Sequence, residues 1–282
     1  MQDIHSSIIT GGNKLLLAKG KGWRDSYLET IVLPFIHGDV PSDSSKIASS
    51  RTADCWIVSA GGISLFIKFF HFRHFTDRFY IVRKTRARRA WEGSILLEKM
   101  GFRAPELIAQ GDVIKKFQIQ KSFLITEYLA PSIRVTEYMK TLAETDQSPE
   151  DITRKRDCLT ALGRLIGRLH NVGIFHGDLR SGNILIKQPD KVPLFYFIDN
   201  ERNRYFSRGI PSRLREKNLV QINMIVTPQL TFSDRLRFFE AYIAENPELK
   251  PRAKDWIRRV FMKTRRRLWK KHPAIWGLQE KD

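Results

Sequence analysis

A chain of 282 residues, 42% of them hydrophobic, is long enough to bury a substantial core and to hold two lobes around a cleft, which excludes a peptide or a disordered tail. The formal net charge of +19 points to an anionic partner: a nucleotide, a nucleic acid, a phosphorylated glycolipid or an acidic membrane surface. Two cysteines, Cys55 and Cys158, are too few for a disulfide framework and lack zinc-site spacing, so a reducing cytoplasm is expected.

The N-terminal part carries two short apolar runs, Leu15 to Ala18 and Ile31 to Ile36. Neither approaches the ~20 residues of a membrane span, and no signal peptide is expected. The polar stretch Pro41 to Arg51 precedes Cys55 to Ser59 and Ile63 to Phe70, which Gly61-Gly62 joins as a hairpin. A helical stripe of Ala87, Trp91, Ile95 and Leu96 or Met100 predicts a helix from about Lys84 to Met100, stopped by Gly101. After Pro105, strands are expected over Leu107 to Val113 and Gln118 to Tyr128. Leu159, Leu162, Leu165, Ile166 and Leu169 then mark a long helix from Asp151 to Val172, with Gly173 past its end.

That helix delivers the chain to His176-Gly177-Asp178-Leu179-Arg180-Ser181-Gly182-Asn183. An apolar strand to Lys187, a Pro-containing turn, a second strand Leu194 to Ile198, and Asp199 follow. Taken alone, His-x-Asp is a helix cap or a turn, and Gly-Asn is an ordinary turn dipeptide. In this order they describe a kinase catalytic centre: Asp178 as base for an attacking hydroxyl, with Asn183 and Asp199 supplying oxygens to a magnesium ion on the phosphates of ATP. Arg180 is placed to neutralise a transferring phosphoryl group, and His176 to brace the loop.

The nucleotide-binding parts of such a centre are sought upstream. Lys68, late in the second hairpin strand, is the candidate phosphate contact, with Lys84 its rival. Glu92 or Glu98 on the following helix would pair with it, Glu92 preferred; a solvated surface Glu fits either position equally well. The strand end Glu127-Tyr128-Leu129 has the form of a hinge whose backbone pairs with adenine, with Thr126 before it as gatekeeper. No GxGxxG is present, so either Ser49-Ser50-Arg51 or Gly61-Gly62 would have to cover the phosphates.

Beyond Asp199, helical patterns run from Ser212 to Ile225 and from Ser233 to Asn246, and no Ala-Pro-Glu motif follows, which argues against a regulated activation segment. The last segment, Lys250 to Lys271, is a basic amphipathic helix that includes Arg265, Arg266 and Arg267. Its apolar stripe packs on the large lobe, and its cations form either a solvated face or an anion-binding surface. Arg83, Lys84, Arg86, Arg88 and Arg89 make a second basic cluster.

HGDLRSGNILI, FIDNERNRYF, RARRAWEGSILLEKMGFRAPELIAQG and SDRLRFFEAY together resemble the lipopolysaccharide kinases, a group that includes Kdo kinases and inner-core heptose kinases, from roughly Arg51 to Asn246. The resemblance implies an α+β, protein-kinase-like, two-lobed fold: residues 1–128 as a small lobe with an antiparallel sheet and one helix, and residues 129–282 as a mostly helical large lobe. It also implies an enzyme that uses ATP and magnesium to phosphorylate a sugar hydroxyl of the lipid A-core acceptor, held peripherally at the cytoplasmic face of the inner membrane of a Gram-negative bacterium. Carried over by position, Asp178 is the base, Asn183 and Asp199 the metal ligands, and Lys68 the phosphate contact. Gly177 stands where protein kinases have Arg, and Asn200-Glu201 where they have Phe-Gly, so switches built on those residues are not expected. A kinase of another small molecule, an atypical protein kinase, and a non-catalytic basic binding module are the alternatives. Nucleic-acid binding is not expected, for want of a recognition motif.

Overall fold

The computed structural model describes residues 5–10, 12–72, 84–144, 148–188, 192–225 and 230–271, and Arg83 of the basic cluster lies outside them. The chain forms two compact units, Met1–Ala130 and Pro131–Asp282.

The first unit is built on strands β1 (His5–Thr10), β2 (Asn13–Lys19), β3 (Ser44–Ser49), β4 (Ala53–Ala60), β5 (Ile63–Phe70), β6 (Leu107–Lys115) and β7 (Gln118–Glu127). They pair antiparallel in the order β1-β2-β6-β7-β5-β4-β3. Alternation along β5 sends Leu65 and Ile67 to one face and Lys68 and Phe70 to the other, as the two-residue period of a strand requires. The first face packs on a wide helical turn, Leu28–Val32, that runs into helix α1 (Leu33–His37); Tyr27, Ile31 and Phe35 lie in that core. These N-terminal segments cover the short apolar runs that were too brief to cross a bilayer, and among the described residues no helix is long and apolar enough to do so.

The second face of the sheet takes helix α2 (Arg86–Lys99) through Ala87, Ala90 and Trp91 against Phe70, Leu107 and Leu124. Thr85 caps α2 by accepting the Arg88 N–H, and its hydroxyl donates to the buried Asp112 on β6 at 3.2 Å. Asp112 also accepts from Gln110 (3.0 Å) and Ser122 (2.7 Å). Burial pushes its carboxyl above the usual range despite these donors. The start of α2 is thereby anchored to the sheet.

The second unit begins with β8 (Ile133–Arg134), α3 (Val135–Glu144) and α4 (Pro149–Asn171). Gly163 and Gly167, one turn apart on α4, let a later helix, α6 (Phe232–Ala244), approach closely: a Cβ on Gly163 would meet the Phe238 carbonyl at 2.4 Å. A buried ion pair, Lys155 to Asp234 at 3.0 Å, joins the same two helices. Between them in sequence come β9 (Ile174–Phe175), β10 (Ile184–Lys187), β11 (Leu194–Phe197), β12 (Arg204–Tyr205) and α5 (Ser212–Ile222). The chain closes its described part with a 3-10 segment, Pro247–Arg252, and helix α7 (Ala253–Lys271). The basic helix read over Lys250 to Lys271 therefore starts three residues later, because Pro251 is better placed in the tight turn than inside an α-helix.

Candidate active site

The catalytic loop hangs between β9 and β10 and is fixed from behind. His176 is fully buried, its backbone N–H donates to Asn218 Oδ1 on α5 at 3.2 Å, and its carbonyl accepts from Asn218 Nδ2 at 2.6 Å. Asn218 Oδ1 also lies 3.1 Å from Nε2 of the buried His170 on α4, whose Nδ1 is 3.0 Å from the Tyr242 hydroxyl on α6. A single amide side chain thus ties the loop to two helices of the core. Burial drives both imidazoles toward the neutral form, His170 to about 3 and His176 to about 4. His176 braces the loop from inside: its Nδ1 accepts the Asp178 N–H at 3.2 Å.

Gly177 has a local reason. A Cβ there would lie 2.1 Å from the Arg202 Cβ and 2.5 Å from the Arg202 carbonyl, so the segment after Asp199 occupies the space a side chain would need.

Asp178 is half-buried, and three groups converge on it. Arg180 binds it two-pronged, Nε to Oδ1 at 2.8 Å and Nη2 to Oδ2 at 2.5 Å; Asn183 Nδ2 lies 3.3 Å from Oδ2, and Gln221 Nε2 lies 3.4 Å from Oδ1. Burial pushes its carboxyl up, but Arg180, with His176 and Asn183 adding, more than offsets this and holds it below the usual carboxylate range. It is an ionised acceptor at neutral pH.

Asn183 ends the loop. Its Nδ2 also donates to the Asp178 carbonyl at 2.9 Å, which turns the amide oxygen away from the loop. Antiparallel pairing of β10 with β11 sets Ile184 opposite Phe197, and the Ile198 N–H donates to the Asn183 carbonyl at 3.0 Å, so Asn183 and Asp199 emerge at the same end of one hairpin. Asp199 is exposed and left-handed (φ 60°, ψ 46°), a conformation that costs energy in a non-glycine residue and directs its carboxylate out of the strand line. One amide oxygen and one carboxylate are hard donors of the kind magnesium takes when phosphate oxygens and water complete its shell, so the residues present fit that ion. Among the described residues no group of three or more His, Cys, Asp or Glu could hold a metal by itself.

In the first unit, Lys68 is half-buried on the α2 face of β5, its ammonium 5.2 Å from the Phe70 ring centre. Its register partner on β4 is Cys55, which places it at the end of the sheet where the tight turn 50–52 joins β3 to β4. Ser50 Oγ accepts the N–H groups of Thr52 and Ala53 in that turn. Gly61-Gly62 turns the opposite end, six residues away along the strand or about 20 Å. The expected pairing of Glu92 with Lys68 is corrected by the structure: the Glu92 carboxylate is held by Lys84 at 2.8 Å and Arg88 at 3.2 Å, and Glu98 by Lys21 at 3.5 Å. The cause is local, since Arg88 lies one helical turn before Glu92 and Lys84 just ahead of the helix start. In the hinge segment the N–H groups of Glu127 and Tyr128 are committed to the carbonyls of Glu106 (2.9 Å) and Ser64 (3.0 Å). The Tyr128 N–H is thereby removed as an adenine contact, and that expectation rests on the Glu127 carbonyl and Leu129. Thr126 before them is buried.

A cavity of about 780 Å³ opens on Asp178 within the second unit. Arg180, Asn183 and Gln221 line it beside the carboxylate, and Arg134, Arg267 and Lys270 contribute cations from β8 and α7. Asn218, Gln221 and Arg134 were missed in the sequence, where polar residues on a helix or an edge strand look like solvated surface. The only signal was the spacing of Asn218 and Gln221, which share one face of α5. Arg267 had been grouped with Arg265 and Arg266.

A seven-stranded antiparallel sheet with α2 on one face, a mostly helical second unit, and an Asp-Asn-Asp set on its loops define a protein-kinase-like fold. The chain belongs to the lipopolysaccharide kinase (Kdo/WaaP) family, whose model matches residues 68–242. It is similar to the lipopolysaccharide core heptose(I) kinase WaaP of Pseudomonas aeruginosa, 27% identical over 160 residues that make up 55% of this chain and 59% of that protein. The corresponding WaaP of Escherichia coli K12 is 27% identical over 162 residues, again 55% and 59% of the two chains. The match thus spans less than two thirds of the length of these relatives. A solved structure, WaaP in complex with acyl carrier protein, superposes with a TM-score of 0.61 at 20% identity, covering 88% of this chain and 98% of that one, and shows the shared fold.

Proposed function

We propose that the chain is a phosphotransferase that moves the γ-phosphoryl group of ATP to a sugar hydroxyl of the lipopolysaccharide inner core. The observation that carries this reading is the convergence of Asp178, Asn183 and Asp199, with Asp178 ionised and the oxygens of the other two at one hairpin end. Asp178 receives the acceptor hydroxyl and its proton. Arg180, now bound to Asp178, lies within reach of a phosphoryl group arriving beside that carboxylate, where its charge offsets the negative charge of transfer. Asn183 and Asp199 hold magnesium, which screens phosphate charge when bound. Lys68 and the turn 50–52 at the same sheet end take the phosphates, and Glu127 and Leu129 the adenine. The exposed Arg265 and Arg266 fit a peripheral position on the anionic cytoplasmic face of the inner membrane. The sugar is Kdo or heptose; the heptose kinases among its relatives favour heptose.

The test is phosphate transfer from ATP to purified core lipopolysaccharide lacking inner-core phosphate, read by mass spectrometry, with and without magnesium. Transfer is expected from the wild type and falls about 10³-fold in Asp178→Asn, with ATP affinity retained. Full turnover in Asp178→Asn refutes the base assignment, and transfer to an aminoglycoside or a protein but not to the core refutes the acceptor class.

A further inference from the structure

Helix α7 buries Trp256, Val260, Thr264 and Leu268, one residue per turn. Beside this stripe runs a second one, Arg259, Lys263, Arg267 and Lys270, at steps of four, four and three. Glu216 on α5 neutralises its first half: Arg259 lies 3.6 Å away, and Lys263 pairs with the same carboxylate. Arg267 and Lys270 continue past Glu216 to the cavity at Asp178. On another part of that cavity's lining, Arg134 reaches only a distant Glu137, at 3.9 Å. Four cations therefore line the cavity against one carboxylate, Asp178, and that carboxylate is already engaged by Arg180. Uncompensated cations around a site that receives a neutral hydroxyl add nothing to binding unless the acceptor also carries negative charge.

We infer that Arg134, Arg267 and Lys270 form an anion subsite of the acceptor pocket, holding a carboxylate or phosphate borne by the same molecule whose hydroxyl meets Asp178. This rests on the phosphotransferase reading above and deepens it. It also separates Arg267 from Arg265 and Arg266: the first faces the acceptor, the other two the solvent side of the helix. Arg267 and Lys270 lie beyond the residues matched by the family model, so this half of the pocket is a property of the chain's own last helix.

The experiment uses the full chain as wild type, as Arg267→Gln/Lys270→Gln, and as Lys254→Gln/Arg258→Gln, a control pair on the exposed face of α7. Each is titrated with core left intact except for the missing phosphate at the acceptor hydroxyl, with the same core after its carboxylates have been reduced to alcohols, and with the same core after its remaining phosphates have been removed; binding is followed by calorimetry and transfer by kinetics. The pocket variant is expected to raise Kd and KM for intact core about ten- to hundredfold, with the KM for ATP moving less than twofold. The control pair should leave all of these in place. Whichever stripped acceptor loses the same factor with wild type, and is no longer discriminated by the variant, names the anion as carboxylate or phosphate. Unchanged acceptor affinity in the pocket variant, or an equal rise in the KM for ATP, overturns the assignment. So does reduced binding to phosphatidylglycerol vesicles with unaltered core binding, which gives these cations to the lipid surface. A wild type that binds core in a manner dependent on Arg267 and Lys270 without phosphorylating it sinks the phosphotransferase reading and leaves the subsite standing.

Discussion

The catalytic loop of the second unit and the Lys68 end of the first are built in opposite ways. Around His176 to Asn183, Asn218 on α5, with no exposed surface, holds the His176 N–H and carbonyl and bonds to His170 on α4, which is in turn paired with Tyr242 on α6. At the Lys68 end, the acidic residue expected to orient the lysine is bound to Lys84 and Arg88, with all three side chains more than a third exposed. Buried hydrogen bonds resist exchange because breaking one leaves a polar group unpaired away from water, whereas exposed ion pairs exchange partners at little cost. The residues proposed for phosphoryl transfer are therefore held in place from behind, whereas the Glu92 carboxylate sits among surface cations that exchange partners readily.

The sharpest way to break this contrast is Asn218→Ala. It strands the His176 N–H and carbonyl and removes a partner of His170, so unfolding free energy is expected to fall by about 4 kcal/mol, with turnover falling alongside. A loss below about 1 kcal/mol in urea denaturation means that the loop is not held from behind. A second consequence is a pH dependence peculiar to the second unit. His170 and His176 stay neutral in the fold down to about 3 and about 4, while in the unfolded chain they take up protons below about 6.5. The unfolded state then binds more protons, so stability falls as the pH drops from 6.5 toward 4 and is unaffected by these groups above that window. Between pH 7 and 5 the expected loss is about 4 kcal/mol, and a flat stability profile over that range is the contrary result. The smallest effect belongs to the first unit: Glu92→Gln should cost under about 1 kcal/mol of stability, since its partners are surface cations. A larger loss in the same denaturation assay means that the pair holds α2 in place, and the contrast between the two ends disappears.

Much of the fold was legible in advance. The hairpin at Gly61-Gly62, helix α2 with its stop at Gly101, the long helix α4 and the two strands leading to Asp199 all follow from hydrophobic period and turn residues, which are local properties. The candidate site was legible where its members are close in sequence: Asp178 and Asn183 share one loop, and the β10–β11 hairpin brings Asp199 beside Asn183. Glu92 was misassigned because two cations, one a helical turn away and one just ahead of the helix, compete with a lysine on another strand. Sequence reasoning has no measure of that competition.

What the sequence determined by itself is the order of chemical groups along short segments, because backbone geometry over a few residues leaves few choices. It therefore specified a kinase-like loop, the hairpin end where Asn183 and Asp199 emerge, and the elements that carry them. Only the tertiary structure decided which polar residues face inward. Asn218 became a brace and Arg267 a lining of the Asp178 cavity because α5 and α7 pack with those faces toward the catalytic loop. Such a choice rests on contacts between segments dozens of residues apart, where burial and charge compensation, not local propensity, select the partner.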